Sequence, residues 1–309
     1  MSAVSALPRF LPSRRRNEAF LQRFFPRLKP ATSSGHIFDM RKFVAALPMY
    51  DWPEARAEVD AQWAKIRAAL RHAGVDAPEM VVRRNADLPA VPGDIRDASG
   101  QVIVADPTRL PPDELDFHAV WLHPALLFTQ TCWGPMELGL ERHVQVVGQP
   151  SYDGIEGGRD GFYSSAIVMR RPGKHVAAPE NGQALIPLEL IRGKRLAFNS
   201  LDSMSGMIAI TRDLEAMGEG LDIFAERLES GGHRNSIVEV AEGRADVAAI
   251  DCQSWALAQR FEPKAKDVAV VGWTARRKGL PFITARATPP ALLAKLRDAL
   301  VGENESIAG

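Results

Sequence analysis

Cysteine is nearly missing from this sequence of 309 residues, which holds only Cys132 and Cys252. Two cannot build a disulfide framework, and no C-x-x-C pair offers zinc or redox chemistry. Two small buried thiols are the expectation, with a single bridge between them as the alternative. Net charge is missing too, because Lys+Arg and Asp+Glu both number 38. That balance gives no global field to draw the chain to nucleic acid or to an anionic membrane. No stretch approaches the roughly 20 apolar residues that a membrane-spanning helix needs.

Enzyme and cofactor signatures are also lacking. There is no Walker A sequence, and S-M-S-G-M (Ser203–Met207) is not the G-x-S-x-G elbow that exposes a nucleophile. His118 and His123 lack the spacing of an H-E-x-x-H helix, and no other group has metal-ligand spacing. Gly154–Gly161, G-I-E-G-G-R-D-G, has the wrong glycine spacing and runs into a strand pattern at Tyr163–Arg170. A dinucleotide loop must instead open a helix, so that backbone N–H groups point at the pyrophosphate. Ser205, His233 and Asp251 match no triad order, although geometry decides such cases. The expectation is no catalytic residue, no cofactor and no metal.

What is present begins with a basic segment. In residues 1–39, Arg9, Arg14, Arg15, Arg16, Arg23, Arg27 and Lys29 face only Glu18 before Asp39. The stretch F-L-Q-R-F-F-P-R-L breaks the apolar core of about 7–15 residues that a secretory signal needs. A poorly ordered tail is expected, with Met40 as an alternative start to Met1.

From Met40 onward, β-branched apolar runs alternate with helical patterns, the rhythm of an α/β protein. Strands are expected at Phe43–Leu47, Ala125–Phe128, His143–Val147, Tyr163–Arg170, Leu196–Phe198, Asp246–Ile250 and Val268–Trp273, with weaker ones at Met80–Val82 and Gln101–Val104. A helix opens at Pro53 with Val59, Trp63, Ile66 and Leu70 at helical spacing. Others are expected at Pro135–Leu140, Ser205–Met217, Ser236–Glu242, Cys252–Phe261 and Pro289–Val301.

Three polar clusters fall at the expected carboxyl ends of strands: Met49-Tyr50-Asp51, Asn199–Ser205 and Asp251. Ligands of open α/β sheets bind outside those ends. A helix beginning at Ser203-Met204-Ser205-Gly206 presents unpaired N–H groups and the positive end of its dipole. Its hydroxyls add donors, and Gly206 lets a ligand approach the backbone. That suits a tetrahedral oxyanion, while a plain serine N-cap explains the same residues. His233, in S-G-G-H-R-N-S just before a helix, is either an anion donor or a surface histidine. Asp251 is either an acceptor for a ligand proton or ammonium, or the N-cap of the helix at Cys252. Tyr50 and Tyr163 are amphipathic enough to line a polar cleft.

Taken together and in order, A-L-P-M-Y-D (Ala46–Asp51), F-T-Q-T-C (Phe128–Cys132), V-V-G-Q-P-S-Y (Val146–Tyr152), F-Y-S-S (Phe162–Ser165), L-A-F-N-S-L-D-S-M-S-G (Leu196–Gly206), S-G-G-H-R-N-S-I (Ser230–Ile237), A-D-V-A-A-I-D-C (Ala245–Cys252) and G-L-P-F-I-T-A (Gly279–Ala285) form a pattern. It resembles the periplasmic phosphate/phosphite/phosphonate-binding family, the substrate-binding components of ABC importers. The resemblance implies a two-lobed α/β fold of the type II periplasmic-binding-protein kind, with the ligand cleft between the lobes. Lobe 1 would comprise residues 40–164 plus 275–309 and lobe 2 residues 165–274. The resemblance assigns the oxyanion to Ser203, Ser205 and the backbone around Gly206, with His233 as a further donor. It makes Asp251 the acceptor and Tyr50 and Tyr163 the cleft walls, and Gln130 and Thr131 are added by extension. It also implies a monomer that binds its ligand without turnover and hands it to an ABC permease in the periplasm. Many members carry a cysteine in the loop before F-Y-S-S, whereas Gly154–Gly161 has none, which leaves Cys132 without a partner.

A carboxylate facing an oxyanion is costly unless a proton or a cation lies between them. Asp251 therefore favours hydrogen phosphate, phosphite or an aminoalkyl phosphonate over a fully ionised anion such as sulfate. A cytoplasmic sensor of the same fold, or an enzyme acting on a phosphorylated metabolite, are the competing readings.

Overall fold

The structure is a computed structural model that describes residues 43–170 and 175–307; the basic segment 1–39 lies outside the described residues. Two sheets carry the chain. The first contains β1 (Val44–Ala46), β2 (Leu126–Gln130) and β3 (Val144–Gly148). The second contains β4 (Ser165–Arg170), β5 (Arg195–Phe198), β6 (Glu226–Glu229), β7 (Val247–Asp251) and β8 (Val268–Trp273). The last strand, β9 (Phe282–Ala285), returns to the first sheet.

The spatial orders are β1-β2-β9-β3 and β6-β5-β7-β4-β8. Each sheet pairs parallel strands and admits one strand that runs against its neighbours. In the first sheet β9 is antiparallel to β2 and β3, and in the second β4 is antiparallel to β7 and β8. Both inserted strands follow directly on a crossing between the sheets, at 149–164 and 274–281. This is the two-lobed α/β arrangement of the type II periplasmic-binding class.

The core strands read as unbroken apolar runs because helices cover both faces. All five residues of β2 and of β7 are buried. On the first sheet, α1 (Arg56–His72) buries Val59, Trp63, Ile66 and Leu70, the residues whose helical spacing predicts it. They pack with Leu293, Leu296, Ala299 and Leu300 of the C-terminal helix, Pro290–Ile307. On the second sheet, Ile210 and Leu214 of α2 (Ala209–Ala216) cover one face. Ile237, Val240, Trp255 and Ala258 of α3 (His233–Glu242) and α4 (Cys252–Phe261) cover the other.

Several elements differ from the expected ones. Met80–Val82 forms no strand; a single bond from the Val82 N–H to the Ala45 carbonyl (2.8 Å) ties it to β1. The helix expected at Pro135–Leu140 is Trp133–Glu137, with a separate turn at Leu140–Arg142. The helix expected from Ser205 begins with a wide turn, Met204–Ile208, in which the Ile208 N–H reaches back to the Ser203 carbonyl at 3.0 Å. His233 starts α3 rather than preceding it, because Gly232 takes the extended N-cap position one residue earlier. Both cysteines are buried and free, and burial pushes the Cys132 thiol up to about 11.

The two sheets' outer elements meet across the cleft. Arg234 of α3 holds Glu54 through both terminal guanidinium nitrogens at 3.0 Å, lies 4.7 Å over the Trp52 ring, and is itself held through Nε by Glu262 at 2.7 Å. Arg260 pairs with Glu58 and Arg212 with Glu137. The Cys132 sulfur accepts the Met204 N–H at 3.4 Å. The lobes are thus closed on one another.

Candidate functional site

Three loops converge where these lobes meet, each supplied by the carboxyl end of a strand. After β5 the chain turns through Asn199–Ser203 into the wide turn at Met204–Ile208. The Ser203 hydroxyl accepts the Gly206 N–H at 3.1 Å, so Ser203 is a helix cap, and that N–H is engaged within the protein. A Cβ at Gly206 would have to displace the Asn199 carboxamide oxygen. Wide turns of this kind recur at functional sites, where they re-aim side chains.

Ser205 is left to face the cleft. Its hydroxyl lies 2.7 Å from His233 Nε2 and 3.3 Å from the Ser203 hydroxyl. The same His233 nitrogen is 3.2 Å from Asp251 Oδ2. Asp251 ends β7 and caps α4, its Oδ1 accepting the Ser254 N–H at 2.9 Å and the Tyr50 hydroxyl at 3.2 Å. Both capping readings left open by the sequence are therefore realised. Each uses one oxygen, and Ser205 Oγ and Asp251 Oδ2 remain at the centre.

The geometry also separates this cluster from a hydrolase triad. There the carboxylate holds the histidine nitrogen remote from the serine and fixes its tautomer. Here Ser205 and Asp251 address the same nitrogen, and His233 Nδ1 is buried with no hydrogen-bond partner in the protein. The nitrogen remote from the serine is thus not held by a carboxylate, as it is in such a triad. The arrangement suits binding.

Burial sets the protonation states. It lowers the pKa of His233, with Asp251 opposing, so the imidazole is neutral at pH 7. Burial first, then the charge of Asp251, raises Tyr50 well above its usual value, and the phenol stays a donor. Tyr163 is raised in the same way by burial and then by Cys132, Asp251 and Tyr152, with the Ser205 hydroxyl pulling the other way. None of the side chains gathered here is a lysine or arginine.

Thr131, Gln130 and Tyr163 approach from lobe 1 and the first crossing. Gln130 and Thr131 lie at the end of β2 and are buried, Gln130 Nε2 reaching the Leu280 carbonyl at 3.5 Å. Thr131 Oγ1, the Tyr163 hydroxyl and Ser165 Oγ, beside Asp251 in the ladder, are buried without a partner in the protein. Each such group costs about 1–3 kcal/mol until something bonds it. A ligand rich in oxygens meets that need.

One residue that the sequence does not single out as a ligand group is part of the cluster. Tyr152, on the first crossing, accepts the Leu280 N–H at 2.9 Å and lies 3.3 Å from the Tyr50 hydroxyl. Its ring packs against Tyr163 at 5.4 Å between centroids. The sole available hint is the position of all three tyrosines beside loops or strand ends.

Among described residues no cluster of His, Cys, Asp and Glu could hold a metal ion, and no helix is long and apolar enough to cross a membrane. Among solved structures, the chain is similar to PhnD1 from Prochlorococcus marinus in complex with methylphosphonate, at 16% identity and a TM-score of 0.45 over 56% of this chain and 63% of that one. XAC2383 from Xanthomonas citri gives 19% and 0.44 over 58% and 63%. A binding protein component of an ABC phosphonate transporter from Pseudomonas aeruginosa gives 16% and 0.43 over 59% and 57%. In each case the alignment spans less than two thirds of the protein matched. No curated protein matches the sequence. The family model described as ABC transporter, phosphonate, periplasmic substrate-binding protein matches residues 136–309, more than half of the chain. Ser203, Ser205, Gly206, His233, Asp251 and Tyr163 fall inside that match, and Tyr50, Gln130 and Thr131 lie before it. The chain belongs to the phosphonate-binding family of ABC-transporter periplasmic substrate-binding proteins.

Proposed function

We propose that this protein binds a small tetrahedral phosphorus oxyanion between residues 43–164 with 275–300 on one side and 165–274 on the other, and delivers it to an ABC permease. The observation that carries this reading is the pairing of Ser205 Oγ and Asp251 Oδ2 on one neutral imidazole nitrogen. A hydroxyl, an imidazole and a carboxylate in one water-excluded spot can give donors to an oxyanion and accept its remaining proton. Ser203, the Gly206 backbone, Tyr50, Tyr163, Gln130 and Thr131 complete the proposed wall.

The carboxylate decides among anions. Facing Asp251, a protonated phosphate, phosphite or phosphonate forms a charge-assisted hydrogen bond, while sulfate meets repulsion. An aminoalkyl phosphonate satisfies the same carboxylate with its ammonium. The protein would act without turnover, as its family does, and from the periplasm.

Calorimetric titration of Ser205→Ala and Asp251→Asn tests the reading. Losing the Ser205 donor is expected to weaken phosphate or methylphosphonate binding by about 1–3 kcal/mol. Asp251→Asn is expected to weaken the protonated anions and to admit sulfate. Undiminished affinity in Ser205→Ala returns that residue to a structural role, and Asp251→Asn with phosphate affinity and sulfate exclusion both intact removes Asp251 from the site.

A further inference from the structure

Tyr50 has one phenolic proton and two neighbours that accept it, the Asp251 carboxylate at 3.2 Å and the Tyr152 oxygen at 3.3 Å. A carboxylate is the stronger acceptor. Tyr152 in turn is buried and already accepts the Leu280 N–H at 2.9 Å, so its own proton has the Tyr50 oxygen as its partner. The hydroxyls therefore line up in one direction, from Tyr152 to Tyr50 to Asp251 Oδ1.

That direction has a consequence at the carboxylate. Oδ1 receives both the Tyr50 hydroxyl and the Ser254 N–H, whereas Oδ2 faces His233 Nε2 at 3.2 Å. One oxygen is saturated by the protein and the other is left toward the centre. We propose that Tyr152 is a positioning residue for ligand selection: by orienting the Tyr50 hydroxyl onto Asp251 Oδ1, it keeps Oδ2 as the acceptor that demands a proton from the bound anion. The proposal rests on the reading of Asp251 as the ligand's acceptor.

Burial raises the pKa of both phenols, so neither loses the proton on which the alignment depends. Without the Tyr152 hydroxyl, the Tyr50 oxygen loses its donor, the chain of hydroxyls no longer strengthens its bond to Oδ1, and the carboxylate is freer to turn Oδ2 away from the centre. A fully ionised anion then meets less of the carboxylate's charge than it does in the wild-type protein. Tyr152 also spans the two crossings, since it belongs to 149–164 and its bonded partner Leu280 to 274–281. Its hydroxyl thus ties anion selection to the segments that connect the lobes.

Calorimetry of wild-type and Tyr152→Phe protein with inorganic phosphate and with sulfate tests this. The expected result is about a fivefold loss of phosphate affinity, the worth of one hydrogen bond, together with measurable sulfate binding. A role in packing alone lowers the unfolding temperature and leaves the phosphate-to-sulfate ratio as it was, and that result overturns the proposal. Tyr50→Phe should relax the ratio by the same amount, and the double variant should add nothing to it. If Tyr152→Phe does not fold, Tyr50→Phe decides: a relaxed ratio upholds the alignment and an unchanged one overturns it. Wild-type protein that takes neither anion nor methylphosphonate overturns the binding reading, and this proposal with it.

Discussion

Gly134 and Asp202 face each other across the cleft so closely that a Cβ on Gly134 would overlap the Asp202 carbonyl oxygen. One stands in the short helix after β2, the other in the loop that leads to Ser205. Beside them the Cys132 sulfur takes the Met204 N–H. Closure thus depends on a position with no side chain. Gly134→Ala is expected to hold the lobes apart and to lower affinity for the ligand about tenfold or more. Because Gly134 lies within a helix, alanine should leave the stability of the ligand-free protein unchanged or raise it by up to about 1 kcal/mol. Small-angle scattering with saturating ligand checks this, and a variant as compact as wild type would contradict it.

Arg234 follows directly on His233 and closes on Glu54 and Trp52 of the other lobe. The same residue step that delivers the imidazole to Ser205 and Asp251 delivers a guanidinium to the rim. The Arg234 hydrogen bonds lower the pKa of Glu54, which is exposed, so salt screens the pair. The expected outcome for Arg234→Ala is a few-fold loss of affinity and a weaker dependence of affinity on salt. Titrations at low and high ionic strength with equal slopes for wild type and variant would exclude a contribution of this contact to closure.

Acid should weaken the ligand-free protein partly through His233. Its folded-state pKa lies below the unfolded value of about 6.5 because burial disfavours the imidazolium. As pH falls through about 6.5 the unfolded chain binds a proton that the folded protein refuses, so stability drops, and the drop ends once the folded imidazole also protonates. His123 and His143 are lowered by burial too and share this slope. The difference between wild type and His233→Gln isolates one histidine, and the variant should lose less stability between neutral pH and about pH 5. Superimposable pH profiles of the unfolding temperature would place the effect elsewhere.

Much of this polar cluster was legible because caps and ligand groups draw on the same residue types. Ser203 and Asp251 stand at strand ends in front of helices, and the sequence marks them for either role; the structure shows both acting as caps. The helical spacing of Val59, Trp63, Ile66 and Leu70 translated directly into the buried face of α1. Tyr152 was not legible as a partner of Tyr50, because its placement depends on Leu280, which is remote in sequence and brought near by the second crossing. Gly134 was equally silent. Its requirement comes from a backbone oxygen on the other lobe, and no local pattern encodes that approach. The start of α3 moved to His233 because glycine at 232 serves as an extended N-cap without a side-chain cap bond, and the serine at 236, expected to open the helix, lies inside it.

The most direct test of the central claim is a thermal-shift panel on wild-type protein with phosphate, phosphite, methylphosphonate, 2-aminoethylphosphonate and sulfate. A ligand at about 100 times its dissociation constant stabilises a protein by about 2.7 kcal/mol, enough to move the unfolding temperature measurably. At least one phosphorus oxyanion should do so while sulfate does not. A flat response to every phosphorus compound, or sulfate acting as strongly as the best of them, would contradict a protonated oxyanion held between Ser205, His233 and Asp251.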